Sequence, residues 1–204
     1  SSELMTNLSM SLVNALYNLQ LMKIAGENGV AAYGAVMYVN FIFVATFLGY
    51  AIGCAPVISY HYGAGNHAEL KNLYKKSMSI ILVWGVILFG AAQLLAPVLS
   101  KIFVGYNTGL YAMTLHGFRV YAIAFLIIGI NIFGSSFFTA LNNGLISAVI
   151  SFLRTLVFQV IMVLTLPLWF GINGIWSAIS IAEALTLIMT TTFFVRQKDK
   201  YHYL

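Results

Sequence analysis

GLISAVISFLRTLVFQVIMVLTLPLWFGINGIWSAISIAEALTLIMTTTFFV, residues 144–195, carries only two charged side chains, Arg154 and Glu183. A transmembrane helix needs about 20 mostly apolar residues to cross a hydrocarbon core of roughly 30 Å. This stretch supplies two such runs, 144–167 and 172–195, separated by a turn from Pro167 through Gly174. Outward from it, the same reading finds runs at 4–24, 34–59, 77–98 and 114–138. Turn clusters mark the breaks: Gly26-Glu27-Asn28-Gly29, Gly63-Ala64-Gly65-Asn66 and Asn142-Asn143-Gly144. The runs are continuous rather than alternating, and lipid accepts sheets only as closed barrels, so strands are excluded as spanning elements. The sequence predicts an all-α integral membrane protein, a bundle of six transmembrane helices arranged as three helical hairpins.

Composition agrees. Of 204 residues, 61% are hydrophobic and 7% charged, where a soluble domain carries about 25% charged residues. Six spans with short connections leave no room for a separate soluble module. The net charge of +5 does not point to nucleic acid, because the ten Lys and Arg residues sit mainly at the ends of runs, where basic residues set orientation. If the first helix runs outward, one side holds Lys71, Lys75, Lys76, Arg196, Lys198 and Lys200, and the other Lys23, Lys101 and Arg119. The positive-inside rule then places a 60–76 loop and the C-terminus in the cytoplasm. Lys71 to Lys76 are expected to form a short basic helix on the membrane face. Cys54 is the single cysteine, so no intrachain disulfide can form. The chain opens on Ser1-Ser2-Glu3-Leu4, with no initiator Met and no signal-peptide pattern, and is expected to be part of a longer protein.

Polar side chains are costly in lipid and face a bundle interior or a water-filled cavity, so their angular placement is informative. Glu3, Asn7, Ser11, Asn14 and Asn18 follow helical spacing and share one face of the first helix. That stripe reads either as the wall of a hydrated path or as an interface joined by amide hydrogen bonds. Ser147, Ser151 and Arg154 repeat the pattern on the fifth helix. Glu183 lies on the sixth, within about one helical turn of the depth of Arg154 at 1.5 Å rise per residue. The two can pair, as a structural bridge or as part of ion coupling or gating. On the fourth helix, Gly129, Gly134, Ser135 and Ser136 offer a small-residue surface, with Asn131 as its polar element. Pro56, with Gly49 and Gly53 nearby, marks a candidate hinge in the second run, because proline removes a helical donor. His116 and Arg119 are expected at the outer headgroups. No metalloprotease, CxxC, serine-hydrolase, paired-carboxylate or phosphate-loop motif is present, so neither an enzyme nor a bound cofactor is expected.

GYAIGCAPVISYHYGAGN, Gly49 to Asn66, resembles the end of helix eight and the following cytoplasmic loop of multidrug and toxic compound extrusion (MATE) transporters, with Tyr60, Tyr62, Gly63 and Asn66 in the loop motif. RVYAIAFLIIGINIFGSSFFTALNNG, SFLRTLVFQ, LPLWFGINGIW and SAISIAE, between Arg119 and Glu183, resemble helices ten to twelve in order and spacing. SLVN and GVAAYG, between Ser11 and Gly34, fit helix seven and its exit. The resemblance covers nearly the whole chain and implies the C-terminal six-helix lobe of a two-lobe transporter in the cell (plasma) membrane. It implies antiport of amphipathic, often cationic small organic substrates against Na⁺ or H⁺, with an N-terminal six-helix lobe and the lipid bilayer as partners. Asn7, Ser11, Asn14, Asn18, Asn131, Arg154 and Glu183 become candidates for the substrate or ion path, and Gly53 with Pro56 for the hinge.

The chain departs from the family pattern at Ile52 and Ala55 (often Gln), His61 (usually Asn), Leu126 and Ser180 (commonly Pro) and Glu183 (usually Asp). Ser9 stands at the position best matching the cation-binding acid that one branch carries on helix seven. Two other readings remain. A lipid-linked saccharide flippase shares the wider fold but tends to carry more basic residues in its cleft than the single Arg154. A non-transporting membrane scaffold would lack a continuous polar stripe.

Overall fold

The computed structural model describes residues 2–204, with side chains from Ser9 onward. The order of elements is α1 (Ser2–Gly63), α2 (His67–Val104), α3 (Thr108–Tyr121), a 3₁₀ turn (Ala122–Ala124), α4 (Phe125–Ala140), α5 (Gly144–Phe152), a π-helical turn (Leu153–Val157), α6 (Phe158–Phe170) and α7 (Ile172–Tyr201). The short turns join α3 to α4 and α5 to α6 without interrupting a span. Among the described residues, five helices are therefore long and apolar enough to cross a membrane, rather than the expected six.

The difference lies in α1. The expected runs 4–24 and 34–59 are joined by helical backbone interrupted at one residue, Gly26, with φ 63° and ψ −153°. That conformation is open almost exclusively to glycine. Tyr17 and Tyr33 would stand about 24 Å apart along a straight helix. Instead their rings stack with centroids 5.1 Å apart and planes 9° apart. α1 thus doubles back at Gly26, and its two arms form the first hairpin. The Gly26-Glu27-Asn28-Gly29 cluster reads as a loop because of its composition, yet one glycine makes the reversal.

The same device recurs at the other end of the chain. Gly171 has φ 54° and ψ −133° and reverses the chain between α6 and α7. Gly-Glu-Asn-Gly-Val at 26–30 and Gly-Ile-Asn-Gly-Ile at 171–175 share a pattern. In each, the second glycine sits where the arms close. A Cβ on Gly29 would meet the Ala25 Cβ at 2.7 Å and the Leu21 carbonyl at 3.2 Å; one on Gly174 would meet the Leu166 backbone at 2.5 Å.

α2 shows why the fold needs lipid. Its buried residues Leu70, Tyr74, Ser77, Ile81, Gly85 and Leu88 recur every three or four positions and continue as Ala92, Ala96, Ser100 and Val104, a single stripe. Ile80, Val83, Val86, Leu94 and Ile102 remain exposed on the other faces. In water they would form an apolar patch far beyond what a soluble monomer shows; in hydrocarbon they are satisfied. The 60–76 loop also contracts: α1 continues to Gly63 and α2 starts at His67, leaving Ala64–Asn66 as the turn. Asn66 caps α2 by accepting the Glu69 amide at 3.1 Å. Lys71, Lys75 and Lys76 belong to the first turns of α2 instead of a separate surface helix.

α4 is the centre of the bundle, largely apolar and mostly buried. Its small residues admit neighbours: a Cβ on Gly129 would run into the Phe47 ring, and one on Gly134 into the Thr190 methyl. Ser136 donates to the Ala51 carbonyl at 3.2 Å. At one end of the bundle Tyr62 packs on Tyr201, His67 on His202, and Asn143 donates to the Tyr201 hydroxyl. The α1–α2 turn, the α4–α5 turn and the C-terminus therefore share that end, where six of the ten basic residues lie. His116 bonds Asn173 at 2.7 Å toward the other end.

Candidate functional site

Between the arms of α1 and the α5–α7 wall lies a cavity of about 570 Å³, within the range of about 300–1,000 Å³ that holds small organic molecules. Its sides are largely apolar, from Met10, Val13, Met37, Phe41 and Val44 on α1, Ile128 and Ile132 on α4, and Phe152 and Ile179 opposite. Polar groups are few and converge: Asn14, Tyr17 and Asn40 from α1, and Ser151, Arg154, Thr155, Gln159 and Glu183 across from them.

Arg154 and Glu183 meet. The Arg154 Nε donates to Glu183 Oε1 at 2.8 Å, with Glu183 1% exposed and Arg154 18% exposed. Asn131 completes the arrangement, its Nδ2 donating to Glu183 Oε2 at 2.7 Å and to the Glu183 carbonyl at 2.9 Å. Each carboxylate oxygen thus has a donor. That matters because a charge removed from water is tolerated only when paired and hydrogen-bonded. The sequence pairs depth with depth for Arg154 and Glu183, and offers Asn131 both as the polar element of a packing surface and as a path candidate, without joining it to Glu183. Its clue is that it is the one amide on α4, whose other polar side chains are the hydroxyls of Ser135, Ser136 and Thr139.

Arg154 lies within the π-helical turn. An i→i+5 turn underwinds the helix, and such turns are frequent at functional sites. Underwinding keeps positions four apart in line, which is why Ser151, Thr155 and Gln159 all reach the same cavity wall. Thr155 donates back to the Ser151 carbonyl at 2.8 Å. Behind this wall runs a chain of hydroxyls. Ser135 on α4 lies 2.7 Å from the Ser151 hydroxyl and 2.9 Å from that of Ser147, which accepts from Thr139 at 2.7 Å. It ties α5 to the central helix.

The expected α1 stripe is divided. Asn14 lines the cavity and accepts from the Tyr33 hydroxyl at 3.4 Å. Ser11 and Asn18 are exposed on the outside of the lobe. Glu3 and Asn7 lie outside the described side chains. Ser9 also borders the cavity. Sequence reasoning missed Tyr17, Tyr33, Asn40, Tyr121 and Gln159. The signal available for the first two was their near-equal spacing about Gly26. The Tyr17 hydroxyl and the Asn40 Oδ1 are buried without a partner. At the candidate hinge, α1 passes Gly53 and Pro56 with helical dihedrals, Gly26 being the residue that departs from them. Tyr60, Tyr62 and Gly63 close the last turns of α1, and Asn66 is the cap described above. Among the described residues, no three His, Cys, Asp or Glu side chains gather as a metal site.

An all-helical bundle with lipid-suited outer faces and a cavity bordered by an ion pair with a buried carboxylate has the architecture of a membrane transporter. The MatE family model matches residues 4–165, and the chain belongs to this family. No curated protein matches the sequence. Among solved structures, it is similar to an outward-facing multidrug resistance MATE family transporter of the MOP superfamily, with TM-score 0.87 and 21% identity over 97% of this chain and 44% of that one. A MATE structure in the straight conformation gives TM-score 0.88 and 20% identity over 98% of this chain and 45% of the other. A MOP superfamily transporter from Pyrococcus furiosus, described as having a binding pocket of reverse polarity, gives 0.85 and 21% over 95% and 44%. At these identities the likeness is one of fold, and the chain spans under half the length of each.

Proposed function

We propose that this chain forms one lobe of a secondary active exporter that moves amphipathic organic compounds, cationic ones among them, by antiport with Na⁺ or H⁺. The observation that carries this reading is the cavity: drug-sized, apolar on its sides, and floored by the Arg154–Glu183–Asn131 cluster. Transporter sites lie between repeats near the bilayer midplane, and alternating access rocks one bundle against another around them. The exposed Ser11 and Asn18 on the arm of α1 bordering the cavity suit a face turned to a second, N-terminal six-helix lobe rather than to lipid. Pro56 leaves the Ile52 carbonyl without its helical donor, which makes the Gly53–Pro56 region the easiest place for that arm to bend. The end bearing Lys71, Lys75, Lys76, Arg196, Lys198 and Lys200 faces the cytoplasm of a plasma-membrane protein.

Export of ethidium from cells expressing the full-length protein, with a Na⁺ or pH gradient imposed separately, tests the proposal. Efflux that follows one gradient supports it and identifies the ion. Absence of gradient-dependent efflux, with the protein present in the membrane, overturns it.

A further inference from the structure

Arg154 has bonding capacity that the protein does not use. A guanidinium carries five N–H donors. One, on Nε, is held by Glu183, and among the described residues no acceptor meets Nη1 or Nη2. Those nitrogens are not sealed in the protein either: the side chain is partly exposed, borders the cavity, and has no atom among the buried groups lacking partners. The free end of the fork is therefore presented to whatever occupies the cavity. Glu183 is in the opposite condition, buried with both oxygens engaged, and offers an incoming cation little. The two unpartnered buried groups of the cavity balance each other, the Asn40 Oδ1 accepting and the Tyr17 hydroxyl able to donate or accept, so the bias toward an anion comes from Arg154.

We infer that Arg154 is a substrate-head subsite, taking the carboxylate of an amphipathic organic acid whose apolar body lies along Val13, Phe41, Val44 and Phe152. This rests on the transport reading and specifies one class of compound that it carries. Nη1 and Nη2 can donate to the two oxygens of a carboxylate bidentately, the geometry in which arginine outperforms lysine. Glu183 and Asn131 act as positioning residues: they hold the guanidinium by its Nε side and leave its outer edge free. The pair is neutral overall, so the site discriminates through directed donors rather than net charge. The ester of the same acid keeps the apolar body and loses the charged acceptor.

The test uses the purified full-length protein and the fluorescence change of dansyl-labelled undecanoic acid on binding, compared with its methyl ester. Two charge-assisted hydrogen bonds predict a Kd for the acid about tenfold or more below that of the ester. In R154Q/E183Q, which removes both charges together, the two Kd values should converge. R154K, which keeps the charge but loses the fork, should reduce the preference. Equal Kd values in the unaltered protein overturn the inference without any variant, as does a preference that survives in R154Q/E183Q. Ethidium efflux measured on the same unaltered protein separates this outcome from failure of the transport reading: efflux without acid preference rejects the subsite alone.

Discussion

The two hairpins at Gly26 and Gly171 turn in the same way and are anchored differently. Both reverse at a glycine of positive φ followed by x-Asn-Gly, and both press a second glycine against the helix eight residues back. The Gly171 hairpin carries Glu183, fastened to α4 through Asn131 and to the preceding helix through Arg154. The Gly26 hairpin holds its arms by stacked tyrosines and one long hydroxyl–amide bond, with Asn40 left partly unsatisfied. The cavity lies between the anchored hairpin and the looser one. A shared turn sets the topology, while buried polar bonds decide which wall of the cavity stays fixed.

The largest effect should come from breaking the anchor. Glu183→Leu leaves Arg154 without its partner and should lower stability by about 3 kcal/mol or more, measured as thermal unfolding of the purified protein in detergent. Adding Arg154→Met should restore much of that loss. If the double variant is no better than the single, the pair is not what fixes this hairpin. Next in size is the closing glycine. Gly174→Ala drives a Cβ into the Leu166 backbone, which cannot swing aside, and should cost about 2–3 kcal/mol; Gly29→Ala first meets the Ala25 side chain and should cost about 1 kcal/mol. Equal losses would mean that the two turns are equally tight. Asn14→Ala should be the mildest, below about 0.5 kcal/mol, because it gives up only a 3.4 Å bond. A loss as large as that of Glu183→Leu would erase the distinction between hairpins.

This contrast bears on what could be read from the sequence. Spans were legible because an apolar run of twenty residues has one physical solution in lipid. The meeting of Arg154 and Glu183 was legible because two opposite charges at one depth relieve each other. The continuity of helix around Gly26 was not, since Gly-Glu-Asn-Gly composes a loop and a one-residue reversal alike. The π-helical turn left no mark in residue type, so the alignment of Ser151, Thr155 and Gln159 on one wall could not be foreseen. The long 60–76 loop was inferred from its polar residues, which the structure assigns instead to the ends of helices that outreach the membrane. Asn131 was legible as a polar candidate but its bond to Glu183 was not, because the small residues around it, which do admit close neighbours, also fit a packing role.

The proposed exporter couples transport to an ion at the cavity beside Arg154 and Glu183. The most direct measurement is ethidium efflux by the full-length protein under an imposed Na⁺ or pH gradient, with Glu183→Gln run in parallel at matched membrane expression. Gradient-driven efflux that Glu183→Gln reduces severalfold is expected; no gradient-driven efflux from the unaltered protein would contradict the exporter, and full efflux in the variant would remove Glu183 from its working cavity.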